Sequence, residues 1–151
     1  MTENTWTPDN ALISHELAET SVRLARRFPH PVTRVWEALT APDLLARWWV
    51  PGDIAPVTGH RFTLDMGAWG PQQCEILHVE PGVSLRFLFA KDVLDTTVTW
   101  TLEAIDGGTV LHLEHAGFTL DSPMGKQAYN GMGNGWPAVV GRLDAVLAGT
   151  A

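Results

Sequence analysis

The stretch VSLRFLFAKDVLDTTVTWTLEAIDGGTVLHLEH, residues 83–115, decides the architecture. Three runs within it alternate with a period of two, the spacing that sends side chains to opposite faces of a strand. Val83, Leu85, Phe87 and Phe89 oppose Ser84, Arg86 and Leu88. Val98, Trp100 and Leu102 oppose Thr97, Thr99, Thr101 and Glu103, and Leu111, Leu113 and His115 oppose Val110, His112 and Glu114. Asp106-Gly107-Gly108 between the last two runs is a hairpin signal, so these strands are expected to be antiparallel neighbours.

Working upstream, residues 72–79 form a further strand closed by the turn Glu80-Pro81-Gly82. Residues 60–66 put Phe62, Leu64 and Met66 on one side of another. Val22, Leu24, Arg26 and Phe28 share a face of a strand that Pro29 and Pro31 stop. Val32, Val35, Trp36 and Leu39 then recur at helical spacing, and Ala41-Pro42-Asp43 opens a second short helix. Residues 1–18 read as a polar lead-in, in which Asp9 or Asn10 caps a short helix or the chain is a frayed tail. Downstream, 118–135 (FTLDSPMGKQAYNGMGNG) reads as a loose stretch whose glycines make a flexible entry to a terminal helix. That helix carries Trp136, Val139, Val140, Leu143, Val146 and Leu147. The expected domain spans 19–151. It is α+β, with two short helices after the first strand and a curved antiparallel sheet of about six strands wrapped around a long C-terminal helix.

Of the 151 residues, 45% are hydrophobic and 18% charged, which supports one domain with its own core. Lys plus Arg number 10 against 17 for Asp plus Glu, a formal charge of −7. That acidity argues against sequence-independent nucleic-acid binding and against adhesion to anionic membranes. A single cysteine, Cys74, leaves no internal disulfide and no multi-thiolate zinc site. The sequence has no run of apolar residues long enough for a membrane helix, and its N-terminus lacks secretory-signal blocks. A cytoplasmic location is therefore expected. Seven tryptophans are the unusual number, and a small domain must pack them in a core, line a cavity with them or present them at an interface.

Several segments recur in a known order. Arg26-x-Phe28 precedes Pro31-x-x-x-Val35-Trp36-x-Ala38-Leu39-Thr40-x-Pro42, and Trp48-Trp49-x-Pro51 follows. Glu75-Ile76 stands before Glu80-Pro81, and Gly108-Thr109 comes with Leu111 and Leu113. His115-x-Gly117-Phe118 and Gly135-Trp136 complete the set. Over about residues 20–148 it resembles the SRPBCC superfamily, also called START-like or helix-grip. Within that superfamily it resembles the branch named for the activator of heat-shock-protein-90 ATPase homologues. Gly59-His60 replaces a frequent pair of glycines, and Cys74 stands where glycine is common. The resemblance implies a cavity between sheet and long helix that takes a small apolar or amphipathic molecule, without a cofactor. It leaves open a cyclase-, aromatase- or hydrolase-like enzyme, and a chaperone-interacting module linked to the stress response. The eukaryotic chaperone activator carries a further N-terminal domain, for which 151 residues leave no room, so the chaperone-interacting reading is the least expected of the three.

Periodicity nominates Phe62, Leu64, Met66, Cys74, Ile76, Phe87, Phe89, Val98, Trp100, Leu113, Trp136 and Val140 as the lining, with Trp48, Trp49 and Trp69 near its mouth. The same side chains also read as a dry core, and Trp48 as a core anchor. His115 and Arg26 fall on apolar faces and are the candidates for acid–base work. Arg26 would need Asp65, Glu75 or a ligand carboxylate as partner. His112-Leu113-Glu114-His115 resembles a metal-ligand cluster on paper, but strand alternation splits it between two faces, so no metal site is expected. Gly131, Gly133 and Gly135 match neither phosphate-loop nor dinucleotide spacing, and Cys74 has no base beside it. Trp6 and Trp69, if exposed, favour a homodimer.

Overall fold

The computed structural model describes residues 11–149. Its seven strands are β1 (Leu12–Ala18), β2 (Ser21–Phe28), β3 (Arg61–Asp65), β4 (Pro71–Glu80), β5 (Ser84–Phe89), β6 (Thr96–Ile105) and β7 (Gly108–Ala116). All neighbours pair antiparallel, in the spatial order β1-β2-β7-β6-β5-β4-β3. Helices α1 (Val32–Thr40) and α2 (Pro42–Trp48) bridge β2 to β3, and α3 (Pro123–Gly141) with α4 (Leu143–Leu147) follows β7. The curved sheet and the long helix against it are the α+β helix-grip architecture expected from the alternating runs. The β6–β7 hairpin closes at Gly107, whose φ of 82° is the left-handed conformation that the turn demands.

The sheet has one strand more than the alternation predicted, because residues 12–18 are neither a helix nor a tail. They form β1, which pairs with β2 from Leu12↔Arg26 to Ala18↔Ser21. The register shifts between Leu12 and Ser14, a bulge that leaves Leu12, His15 and Leu17 partly buried and Ile13 outside. That extra residue breaks the period of two, so the hydrophobic pattern does not read as a strand. Asp9, Asn10 and Trp6 lie outside the described residues.

Most of 118–135 is likewise not a flexible entry, because Pro123–Gly141 is one helix. Ser122 caps it by accepting the Gly125 N–H at 3.0 Å, and Pro123 occupies the first turn, where no N–H is needed. The helix tolerates five glycines because its stability comes from the sheet beneath it. A Cβ at Gly133 would lie 2.8 Å from Leu17 Cδ2 and 3.2 Å from Val22 Cγ2, so a bare backbone is what lets α3 approach β1 and β2. Pro137 lies inside the helix and has no N–H for the Gly133 carbonyl one turn back. His15 on β1 fills that vacancy, its Nε2–H donating to the Gly133 oxygen at 2.7 Å.

The core lies between the concave face of the sheet and the helices. Phe28, Leu85, Phe87, Val98, Trp100 and Leu113 are buried from the sheet side, with Val35, Leu39, Leu45 and Trp48 under α1 and α2. Leu143, Val146 and Leu147 are buried on α4. Each such side chain stabilises the fold by about 1.5–3 kcal/mol relative to exposure.

Candidate functional site

A half-open cleft of about 320 Å³ separates α3 from the β3–β6 end of the sheet. The helix supplies Met124, Gln127, Ala128, Gly131, Met132, Gly135, Trp136 and Val139, a stripe at three- and four-residue spacing. Opposite stand Met66 and Trp69 from the β3–β4 connection, Gln72 from β4, Phe89 from β5, and Val93 and Leu94 from the β5–β6 loop. Trp49, just after α2, closes the inner end, its ring centroid 5.0 Å from that of Trp136. Trp69, Val93 and Met124 are exposed at the mouth. Among the described residues, no side chain that lines the cleft carries a charge.

Of the residues nominated from the sequence, Trp49, Met66, Trp69, Phe89 and Trp136 meet at this cleft. Phe62, Leu64, Cys74, Ile76, Phe87, Val98, Trp100, Leu113 and Val140 are buried in the core behind it. Trp48 is fully buried, with its Nε1–H donating to the Ala38 carbonyl at 2.8 Å, and is a core anchor, not a guard of the mouth. The residues that went unnoticed, Gln72, Val93, Leu94 and the α3 stripe from Met124 to Gly135, lie mostly where a loop was expected. Ser122-Pro123 was the available signal for the helix start, and it places the whole stripe.

The two acid–base candidates do not reach the cleft. His115 is buried in the wall behind Trp136 and Phe89. Trp136 Nε1–H donates to its Nδ1 at 3.1 Å, so the imidazole proton sits on Nε2 and is donated to Thr96 Oγ1 at 2.8 Å. Thr96 Oγ1 donates in turn to the Phe89 carbonyl at 3.4 Å. Desolvation pushes the His115 pKa down to about 3, so the ring is neutral and orients two cleft walls. Arg26 pairs with Asp144 on α4 and lies over the Phe28 ring, not with Asp65 or Glu75. Those carboxylates sit on β3 and β4, at the far end of the sheet from β2, and Glu75 faces Arg61 at 3.4 Å.

Cys74 is buried with its thiol 3.7 Å from the Gln72 carbonyl, and burial pushes its pKa up to about 12, which leaves no thiolate for nucleophilic work. Among the described residues, no three His, Cys, Asp or Glu side chains are grouped to hold a metal. No described helix is long and apolar enough to cross a membrane.

Known structures share this fold. Protein MLL2253 from Mesorhizobium loti is 35% identical over 87% of this chain and 98% of its own, with a TM-score of 0.76. DynU16, a protein of the dynemicin biosynthetic locus, is 29% identical with a TM-score of 0.72, the match covering 87% of this chain and 48% of that one. CalU16 from Micromonospora echinospora is 26% identical over 91% of this chain and 82% of its own, with a TM-score of 0.70. No curated protein matches the chain by sequence. The family model described as Activator of Hsp90 ATPase homolog 1-like protein matches residues 29–148, from the end of β2 through α4. With the gripped helix and the sheet order already in place, the chain belongs to that family.

Proposed function

We propose that this protein binds a small, largely apolar molecule in the cleft between α3 and the sheet. The observation that carries this is a cleft of about 320 Å³ whose walls, among the described residues, hold no charged side chain. Such a volume lies at the lower end of small-molecule sites, and apolar walls with few polar groups are their usual character. Of the four methionines in the sequence, Met66, Met124 and Met132 all face it. Thioether side chains adapt to irregular shapes, which suits a site for a bound molecule better than a rigid core. An enzyme using His115 or Arg26 gains no support, since both are engaged away from the cleft.

Titration with the neutral dye N-phenyl-1-naphthylamine tests this. Dye emission should rise and indole emission fall with one-to-one saturation, because Trp49, Trp69 and Trp136 line the site. A response that never saturates overturns the proposal.

A further inference from the structure

The chemistry of the cleft narrows its ligand further, on the premise that it binds one at all. Gln72 rises from β4 opposite Leu64, on the face of the sheet that α3 covers. Its Nε2–H donates to the Trp69 carbonyl at 2.9 Å, which fixes the amide orientation, since a carbonyl can only accept. Its Oε1 is therefore turned away from that bond, is shielded from solvent, and has no hydrogen-bond partner among the described residues. An acceptor buried in this way has lost water without compensation, and folded proteins leave few of them. We propose that Gln72 Oε1 is the specificity determinant of the cleft and that the ligand is an uncharged aromatic molecule bearing a hydroxyl or N–H donor that this oxygen accepts.

Three features select that class. Four aromatic rings and three thioethers stand among the lining side chains, and they stack well on a flat ring system. Absence of any lining cation leaves a carboxylate or sulfonate buried without a counter-charge. The Gln72 acceptor is already desolvated in the free protein, so a donor gains its hydrogen bond at little cost to the protein side. Met66 and Met132 line the same cleft, and rotamer changes of such flexible side chains are what would open Oε1, closed to solvent in the free protein, to the donor.

The test compares three probes of one size on the full chain at pH 7: 2-naphthol, 2-methylnaphthalene and 2-naphthoate, each displacing N-phenyl-1-naphthylamine. The hydroxyl of 2-naphthol should tighten binding about ten-fold over the methyl group. The naphthoate should bind at least about 100-fold more weakly than the naphthol. In Gln72→Leu the order should invert, with 2-methylnaphthalene tighter, because the hydroxyl then loses water and finds no acceptor on the sheet side of the cleft, Gln127 standing on α3 opposite. Equal affinity of naphthol and methylnaphthalene for the natural chain, or tight naphthoate binding, overturns the assignment while leaving an apolar site intact. Failure of every probe, with failure of the dye itself, overturns the site altogether. The comparison on the natural chain decides the matter even where Gln72→Leu folds poorly.

Discussion

Substituting the glycines of α3 one at a time separates stability from binding, and the directions follow from geometry. A Cβ built on Gly135 meets nothing within 4 Å, and this residue lines the cleft. Gly135→Ala therefore adds helix propensity without a clash, about 0.8–1.0 kcal/mol in a helix interior. For a chain of 151 residues that is a rise in Tm of about 2–4 °C. Gly125→Ala should do the reverse, since its Cβ would fall 1.7 Å from the Thr119 carbonyl oxygen, a backbone atom that cannot step aside. Overpacking of this kind costs about 1–3 kcal/mol or more. Gly133→Ala lies between the two, because the atom it meets is the end of the Leu17 side chain. Enlarging the first substitution to Gly135→Leu fills cleft space, so dye affinity should fall at least about ten-fold while Tm stays at or above that of the natural chain. Thermal melts followed by circular dichroism at the helix band, paired with dye titrations, read both quantities. A destabilising Gly135→Ala or a neutral Gly125→Ala would refute the placement of this helix. Unchanged dye affinity in Gly135→Leu would refute the cleft as the binding site.

Four further outcomes are expected. Pro137→Ala restores an N–H for the Gly133 carbonyl, so His15→Ala should cost about 1–3 kcal/mol in the natural chain and markedly less in the Pro137→Ala background; a urea double-mutant cycle with equal costs contradicts this. His115 has its pKa lowered in the fold to about 3 from an unfolded value of 6.5. Its contribution is thus complete above pH 6.5 and lost as pH falls towards 3, where the unfolded chain binds the proton first. Urea melts between pH 7 and 4 should accordingly show a shallower acid loss for His115→Gln than for the natural chain, on top of a lower stability at pH 7. Asp144→Ala strands a buried guanidinium whereas Arg26→Met leaves a half-exposed carboxylate, so the first should destabilise more, by about 1–3 kcal/mol, in chemical denaturation. Iodoacetamide should label Cys74 at pH 8 only on the timescale of unfolding, because burial raises the thiol to about 12; labelling as fast as a free thiol contradicts its placement.

Strands β2, β3 and β5 to β7 were legible from runs that alternate with a period of two, from Val22-Leu24 to Leu111-Leu113, and β4 from Gln72-Cys74-Ile76, ahead of the register shift between Ile76 and His78. α1 and α2 were legible from Val32–Leu39 spacing and from Pro42 at a first-turn position. β1 was hidden by its bulge, and the first half of α3 by glycines whose low propensity outweighs a correct N-cap at Ser122. The candidate site suffered most, since Met124, Gln127, Ala128, Gly131, Met132 and Gly135 of its wall come from that hidden half-helix.

By itself, then, the chain's pattern determined which residues are apolar on one face, which segments are strands, and that a curved sheet must hold a terminal helix. Local periodicity carries that much because burial of a face depends on near neighbours in sequence. It could not divide those faces into packed core and open cleft. Phe87 and Phe89 share one face of β5, yet only Phe89 reaches open space. That division depends on where α3 crosses the sheet, which is set by the bare backbone of Gly133 against Leu17 and Val22 and by the hydrogen bond from His15. The same holds for charge. Arg26 needed a partner on any reading, but only the turn from α3 into α4 brings Asp144, 118 positions away in the chain, to its guanidinium.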